Sequence, residues 1–286
     1  MKKPRPRRPG PAPHPPRAGR PPQPAGRAGK PRGPVAGKRH RGRDEEMFHG
    51  LRACEAILAR RPAAIVRAYL TEPRRRQFAK LIEWCVGERK GFQIVGGESL
   101  ERLTKSIHHE GVAILATAVP RWTLDDLLAH VAAATRPGPL VYLDGVQNPH
   151  NLGSILRTAA HFGATAILGA QGELPPLSPA AVRVAEGAAE FVPVCDLGDP
   201  VGDLKRLAKA GFRIVATSSH RGRPLADTRL GGKTVIVLGS EGEGVTRPIE
   251  VLAHECGQIP GTGAVESLNV GVACGVALAE AWRQRS

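Results

Sequence analysis

Short apolar runs alternate with helix-periodic segments from Leu140 to the end of the chain. The runs at residues 140–144, 166–168, 191–195, 212–216 and 234–238 predict strands. Apolar residues recur every three or four positions near residues 152–162, 179–189, 203–210 and 267–284, which predicts helices. This alternation predicts the α/β class, with a mostly parallel sheet and helices on both faces. Ligands of such sheets bind outside the carboxyl ends of the strands.

The segment before Pro120 has a mixed pattern of shorter elements. A helical pattern begins at Leu51 and stops at Pro62, and strands are predicted at 65–70, 92–95 and 112–115. Helices are predicted from about residue 74 to 88 and after Ser99. We therefore predict a small α/β domain at 46–119, a linker at 120–138 that contains a short helix, and a second domain at 139–286.

Charge separates a tail from the rest of the chain. Residues 1–43 contain fourteen Lys and Arg, no acid, twelve Pro and seven Gly, whereas the remainder carries 27 basic and 26 acidic residues. Such a composition buries too little apolar surface to offset chain entropy, so residues 1–45 are predicted to be disordered. A basic extended segment attracts polyanions, and nucleic acid is the expected partner. A tail that only increases solubility is the alternative.

Neither export nor a membrane partner is indicated. The N-terminus lacks the apolar core of a signal peptide, and no apolar run reaches the length of a membrane span. Five scattered cysteines show no paired spacing, so reduced thiols are expected, with neither a disulfide nor a metal site. These features together predict a cytoplasmic protein.

A first group of unusual polar residues follows the strand at 140–144. In the helix predicted from Leu152, one face is apolar, and the other carries small residues around a single guanidinium, that of Arg157. This arrangement suits close approach of a ligand and bidentate contact with phosphate. Alternatively, Arg157 forms a surface salt bridge, and Asn151 is only the N-cap of the helix.

Two further groups follow the last predicted strand. The stretch VIVLGSEGEG, residues 235–244, leads into a glycine-rich loop, and its acids Glu241 and Glu243 disfavour phosphate and favour a neutral or cationic ligand. The loop matches neither the phosphate-binding nor the dinucleotide-binding glycine motif. The third group, Glu266, Ser267 and Asn269, precedes a helix rich in small and apolar residues, for which Ser267 is an alternative N-cap.

The order of these groups resembles the SpoU, or TrmH-like, family of RNA 2′-O-ribose methyltransferases in the SPOUT superfamily. LDGVQNPHNLGSILR at 143–157, LGSEGEG at 238–244, and IP at 259–260 followed by ESLNV at 266–270 are similar to its three motifs. Residues 48–119 resemble its L30-like substrate-binding domain. The segments RPAAIVR at 61–67 and AEGAAE at 185–190 are closest to a poorly characterised bacterial branch of tRNA/rRNA methyltransferases. Ser240 departs from the pattern, which commonly has Asn there.

The resemblance implies a carboxyl-terminal α/β knot that binds S-adenosylmethionine, and a homodimer formed through the knot helices. Gly239, Ile259 and Leu268 would line the pocket of this methyl donor, and no metal is implied. The acceptor would be a ribose 2′-hydroxyl of rRNA or tRNA. Arg157 would act as the base, or would bind the adjacent phosphate and lower the pKa of the hydroxyl. The residues that orient it or the substrate would be Asn151, Glu241, Ser267 and Asn269.

Two alternatives from other functional classes remain at this stage. One is an RNA-binding protein that has kept the fold but lost catalysis. The other is a small-molecule α/β enzyme that binds a nucleotide, which the missing phosphate-loop signatures and the basic tail disfavour. Binding of S-adenosylmethionine would separate the first from an enzyme, and dependence of turnover on RNA would separate the second.

Overall fold

Two α/β sheets, one of four strands and one of seven, organise residues 45–285, the part of the chain that the computed structural model describes. The described residues belong to one compact unit. The predicted tail, residues 1–45, lies outside the described residues except for Glu45, which begins a strand. No helix within residues 45–285 is long and apolar enough to cross a membrane.

The smaller sheet has the strand order β1-β4-β2-β3. Its elements are β1 (Glu45–His49), α1 (Leu51–Arg60), β2 (Ile65–Leu70), α2 (Ala79–Gly87), β3 (Gly91–Ile94), α3 (Gly97–Thr104) and β4 (Val112–Thr117). β4 is antiparallel to β1 and β2, and β2 is parallel to β3. Strand β1 was not predicted, because two acids open it and obscure its apolar alternation. Helix α2 begins later than predicted, because residues 75–78 form turns that follow the 3-10 turn at Glu72–Arg74.

The larger sheet has the order β7-β6-β5-β10-β8-β11-β9, and its strand pairings are parallel. Its elements are α4 (Leu124–Ala133), β5 (Leu140–Asp144), α5 (Pro149–Phe162), β6 (Ala166–Ala170), α6 (Pro179–Val184), β7 (Val194–Leu197), α7 (Pro200–Lys209), β8 (Arg213–Thr217), β9 (Arg223–Pro224), β10 (Thr234–Gly239), α8 (Arg247–Glu250), β11 (Glu255–Gln258) and α9 (Val270–Arg283). The predicted α/β class and mostly parallel sheet are confirmed.

Alternate residues of the parallel strands enter two apolar layers. In β5, Leu140 and Tyr142 pack in one core, on which α4 and α7 lie, whereas Val141 and Leu143 pack in another, on which α5 and α9 lie. Helices therefore cover both faces, as expected for a parallel sheet. Since α4 contributes Leu127 to the first core, the segment predicted as a linker packs against the second sheet.

Three strands of the larger sheet differ from the sequence prediction. β7 starts at Val194 and not at residue 191, because Ala188–Glu190 forms a 3-10 turn and Pro193 has no backbone N–H. β11, of sequence ECGQ, was missed because it is largely polar. β9 was missed because it spans only two residues, one of them Pro224, at the sheet edge.

A buried ion pair joins the parts of the chain that carry the two sheets. Arg61 Nε donates to Glu190 Oε2 at 2.6 Å, with the glutamate side chain only 2% exposed. Arg61 Nη1 also donates to the Thr117 carbonyl at 2.6 Å. Helix α1 packs beside this pair so closely that a Cβ at Gly187 would lie 2.7 Å from Cβ of Ala56. One apolar core continues across this junction.

The five cysteines are free thiols. Four of them are buried, and Cys256 is partly buried. Burial raises the pKa of the Cys274 and Cys195 thiols to about 12, so both stay protonated at neutral pH. The expected core position is confirmed for the four buried cysteines.

Candidate active site at the carboxyl ends of the strands

A buried carboxylate anchors the glycine-rich loop to the sheet. β5 and β10 are neighbours, and their last residues, Asp144 and Gly239, lie opposite one another. Asp144 is 5% exposed, and its Oδ2 accepts a hydrogen bond from Thr246 N at 2.6 Å. This role of Asp144 was not predicted from the sequence, although an acid that ends an apolar strand is a signal for it.

Immediately after β10, the glycine-rich loop folds back so that its backbone packs on the backbone of Gly239. A Cβ at Gly239 would lie 2.0 Å from the carbonyl carbon of Gly244, so glycine is required by close packing. Ser240 Oγ accepts from Glu243 N at 3.2 Å, and Gly244 N donates to the Ser240 carbonyl. Ser240, the departure from the family pattern, thus closes the turn with its own hydroxyl.

Three of the five predicted catalytic residues meet in one hydrogen-bonded group, here called the polar cluster: Asn151, Glu241 and Asn269. Glu241 Oε1 accepts from Asn151 Nδ2 at 3.2 Å and from Asn269 Nδ2 at 2.7 Å. Asn269 Nδ2 also lies 3.1 Å from Asn151 Oδ1, and Val270 N lies 3.4 Å from Glu241 Oε1. The cluster therefore joins the starts of α5 and α9 to the glycine-rich loop.

Two capping alternatives are wrong. Helix α5 begins at Pro149 and its N-cap is Asn148, whose Oδ1 accepts from His150 N at 2.9 Å, so Asn151 lies within the first turn. The N-cap of α9 is Asn269, whose Oδ1 accepts from Gly271 N at 2.9 Å, and not Ser267. Asn269 both caps a helix and belongs to the polar cluster.

The small residues of α5 do not form an open ligand face, which corrects the sequence interpretation. Gly153 faces α6, since a Cβ there would lie 2.6 Å from the Ala181 carbonyl. Ser154 packs on α9, where a Cβ at Gly271 would lie 2.5 Å from Ser154 Oγ. These positions are small because three helices pack closely.

Arg157 is exposed to solvent and makes none of the hydrogen bonds of the polar cluster. Its side chain is 65% exposed, and Nη1 lies 3.9 Å from Oε1 of Glu186, itself 45% exposed. This is the surface salt bridge of the alternative reading. At this distance and exposure the pair contributes about 0–1 kcal/mol and leaves the guanidinium available to an anion. Glu186 was not singled out from the sequence; its φ of 52° places it in the left-handed region.

Ser267 and Leu268 belong to an exposed loop before α9. Ser267 makes no side-chain hydrogen bond with any residue in the described range, and Leu268 is 42% exposed. Glu266 lies 3.4 Å from His220 Nε2, which brings this loop beside the segment after β8. The structure thus leaves Ser267 outside the polar cluster.

The predicted donor-binding residues lie at the carboxyl ends of the parallel strands. Gly239 ends β10 and Ile259 follows β11, and β8 lies between these two parallel strands. Leu268 directly precedes Asn269, which is hydrogen-bonded to the loop after β10. The partly buried Ile259 and the exposed Leu268 suit a neutral, largely apolar group such as adenosine, whereas the Cβ position of Gly239 is filled by the backbone of Gly244. Within residues 45–285, no three His, Cys, Asp or Glu side chains converge as metal ligands.

Two family models match the chain. The SpoU rRNA Methylase family matches residues 138–279. RNA 2′-O ribose methyltransferase substrate binding matches residues 48–122. The two matches follow one another along the chain and cover the larger and the smaller sheet.

Named relatives match over most of the chain. An uncharacterized tRNA/rRNA methyltransferase, YfiF of Escherichia coli O157:H7, is 36% identical over 84% of this chain and 69% of its own length. The 23S rRNA (guanosine-2′-O-)-methyltransferase RlmB of Vibrio cholerae is 32% identical over 84% of this chain and 97% of its own length. The fold is similar to that of the SpoU methyltransferase AviRb from Streptomyces viridochromogenes, solved in complex with AdoMet, with a TM-score of 0.69, 22% identity and coverage of 84% and 90%.

Proposed function

The chain belongs to the SpoU rRNA methylase family and is an RNA 2′-O-ribose methyltransferase, and we propose that it methylates ribosomal RNA, with the polar cluster beside the methyl donor and Arg157 beside the acceptor ribose. The polar cluster carries this proposal, because it assembles residues of all three motifs at the carboxyl ends of β5 and β10. Ribosomal RNA is the substrate named for the relative that aligns along nearly its whole length.

The methyl donor of the proposal is S-adenosylmethionine, held by Gly239, Ile259 and Leu268. It supplies an activated methyl group on a sulfonium. The carboxylate of Glu241, at the start of the glycine-rich loop, places negative charge beside this site and favours a cationic ligand. Support comes from the AdoMet complex of the structural neighbour, which shares the fold.

Arg157 acts on the acceptor side of the proposal. A guanidinium stays protonated in proteins. We therefore assign Arg157 to binding the phosphate next to the target ribose, and not to the role of general base. Its charge there lowers the pKa of the 2′-hydroxyl. In the transfer, the ribose oxygen bonds the methyl carbon, the carbon–sulfur bond breaks, and the hydroxyl proton leaves to water.

The other candidate residues position the reactants. Asn151 and Asn269 orient the Glu241 carboxylate, and Ser267, exposed beside Leu268, has a free hydroxyl for the incoming nucleotide. Holding ribose oxygen and methyl carbon in line supplies much of the rate enhancement in such a displacement.

The proposal includes a knot and a second copy of the chain. After β11, the chain returns so that α9 packs on α5 and its cap contacts the loop after β10, an arrangement that supports threading. Helix α9 exposes Val272 and Val276, one turn apart, at 54% and 39%. We assign this apolar stripe to a homodimer contact. Sedimentation of wild type and Val276→Glu would show a dimer that the variant weakens; a monomeric wild type would overturn it.

Transcripts of unmodified 23S rRNA and of tRNA, each incubated with methyl-labelled S-adenosylmethionine, test the choice of substrate. The expected result is label in the 23S transcript at a single position. Label in tRNA alone would retain the enzyme class and overturn the rRNA assignment. Binding of donor and of RNA without transfer to either would instead support an RNA-binding protein that lacks catalysis. Action on ribosomal RNA would also place the enzyme in the cytoplasm.

A further inference from the structure

A cleft of about 280 Å³ lies where α1 and the end of β1 meet the end of α6. Residues of both sheets line it: His49, Gly50, Arg52, Glu110, Arg183 and Glu186. Gly50 has a φ of 98°, and a Cβ there would lie 3.1 Å from Glu110 Oε2. A side chain at Gly50 would therefore intrude on the cleft wall, and glycine leaves the cleft open.

Glu186 connects this junction cleft to the candidate active site. Glu186 lines the cleft, and its carboxylate lies 3.9 Å from the Arg157 guanidinium. An RNA strand whose phosphate binds Arg157 would thus have its next nucleotide at the mouth of the cleft. Consecutive phosphates of a strand are close enough for one enzyme surface to contact both.

The cationic wall of the junction cleft contains an unpaired arginine. Arg183, in α6, is partly buried and makes no ion pair or side-chain hydrogen bond with any other residue of 45–285. Arg52, in contrast, pairs with Glu55 at 3.1 Å. A partly desolvated guanidinium without an anion has lost water without regaining partners, and a phosphate would supply them.

The floor of the cleft contains a buried histidine. His49 is 4% exposed, and neither ring nitrogen has a hydrogen-bond partner among the described residues, although the Met47 carbonyl lies near. A neutral imidazole carries one donor and one acceptor. A bound polar group, directly or through a water, would satisfy nitrogens that are otherwise costly to bury.

The acids of the cleft select the kind of anion. Glu110 and Glu186 would repel a free phosphate dianion, but a phosphodiester carries a single charge. The amino and ring N–H groups of a nucleobase can donate to carboxylates such as these. Glu110 Oε2 already accepts from Leu51 N at 2.9 Å, which leaves its other oxygen for such a donor.

We propose that the junction cleft binds the nucleotide next to the methylated one, with its phosphodiester on Arg183 and its base toward His49 and the two glutamates. This assignment rests on the proposed RNA methyltransferase function and extends it to a second RNA subsite. The two sheets then contribute jointly to recognition, since α1 and β1 supply one wall and α6 the other. The subsite binds RNA and takes no part in donor binding.

Arg183→Gln tests the proposal, with unmodified 23S rRNA transcript as the probe. RNA affinity by filter binding at fixed salt is expected to weaken about tenfold, and KM for RNA to rise in parallel, while kcat and the affinity for S-adenosylmethionine stay unchanged. Arg183→Lys keeps the charge but loses the planar fork, so it should recover part of the affinity. The matched control is Arg206→Gln, which removes the same charge from α7 on the other face of the sheet, where Arg206 pairs with Asp125 and Asp203.

Equal losses of affinity in Arg183→Gln and Arg206→Gln would mean that only overall charge matters and would overturn the subsite. An unchanged Arg183→Gln would do the same while wild-type methyl transfer continued, so the proposed function would stand. Absence of RNA binding and transfer in the wild type, with the donor bound, would overturn both. A fall in kcat without a change in KM would move Arg183 into the reaction and also contradict the proposal.

Discussion

Two glutamates in one short segment pair with arginines, one in a buried ion pair and the other in an exposed one. Glu190 is 2% exposed and accepts from Arg61 at 2.6 Å, across the junction of the two sheets. Glu186, one turn earlier, is 45% exposed and only approaches Arg157 at 3.9 Å. The first pair is closed by burial and by a second bond from Arg61 to the Thr117 carbonyl, whereas the second is open to water.

The two ion pairs therefore differ in how readily their arginines can exchange the glutamate for another anion. A buried pair is costly to break, because a partner left alone keeps its charge without compensation. An exposed pair at 3.9 Å is weak and exchanges readily for another anion. The junction is therefore fixed by the folded chain, and Arg157 stays available to another anion, which in the proposed function is an RNA phosphate.

Arg157→Ala is expected to have the largest effect. Loss of a charge directed at the reacting group lowers the transfer rate by about 10²–10³-fold. Stability should change by less than about 0.5 kcal/mol, because the side chain is exposed. Transfer under single-turnover conditions and thermal unfolding measure the two effects. Arg206→Ala, an exposed arginine on α7, is the control and should keep wild-type activity; a comparable loss there would remove the special role of Arg157.

Glu190→Gln is expected to have the next largest effect, on stability. Removal of one charge from the buried pair leaves Arg61 uncompensated and should lower the free energy of unfolding by about 3 kcal/mol, measured by urea denaturation. Glu186→Gln is the matched control in the same segment, with an expected loss below about 0.5 kcal/mol. If both variants lost the same stability, the contrast between the two glutamates would be wrong.

Glu241→Gln is expected to weaken the polar cluster moderately. Its Oε1 accepts from three N–H groups, and a neutral amide oxygen accepts them less strongly, so stability should fall by about 1 kcal/mol. Affinity for S-adenosylmethionine, measured by calorimetry, should fall as well, since a negative charge near the sulfonium is lost. Glu243→Gln, two residues along the same loop, alters a side chain outside the cluster and should leave the affinity unchanged. A larger effect at Glu243 would mean that Glu243, and not Glu241, lies beside the donor.

The smallest expected effect is a pH dependence at the junction cleft. Burial lowers the pKa of His49 below its usual 6.5; the Met47 carbonyl opposes this shift, and the charges of Arg183, His109 and His108 each add a smaller lowering effect. The unfolded chain therefore binds a proton that the folded one does not, and His49's contribution is present above pH 6.5 and is lost as pH falls toward the folded-state pKa. Urea denaturation between pH 5 and 7.5 should show a steeper acid loss for wild type than for His49→Gln. Parallel curves would show that His49 does not contribute.

Continuous apolar runs were sufficient to predict most of the parallel sheet, because strands such as β5 and β10 are buried on both faces. The prediction failed where an apolar run is missing: β9 is an exposed two-residue strand at the sheet edge, β11 is largely polar, and β1 begins with two acids. Local signals also misplaced the starts of α5 and α9 by three residues each. In both cases an asparagine, Asn148 or Asn269, provides the cap at a position other than the one predicted.

The candidate site was predictable in composition but not in grouping. Motif order identified Asn151, Glu241 and Asn269, yet their contact depends on strands β5 and β10 being neighbours across about a hundred residues of chain. The small residues of α5 looked like a ligand face, because a sequence does not distinguish space left for a ligand from space filled by α6 and α9. Glu186 gave no signal, since its position beside Arg157 is set by tertiary packing.

Alkaline digestion of RNA labelled by wild type and by Arg157→Ala, at equal donor occupancy, tests the central claim most directly. A 2′-O-methyl group blocks alkaline cleavage at its own nucleotide. The account predicts that wild type places label from methyl-labelled S-adenosylmethionine in resistant dinucleotides of 23S rRNA, and that Arg157→Ala, although it binds the donor, places almost none there. Label in mononucleotides, or equal label with the variant, would contradict it.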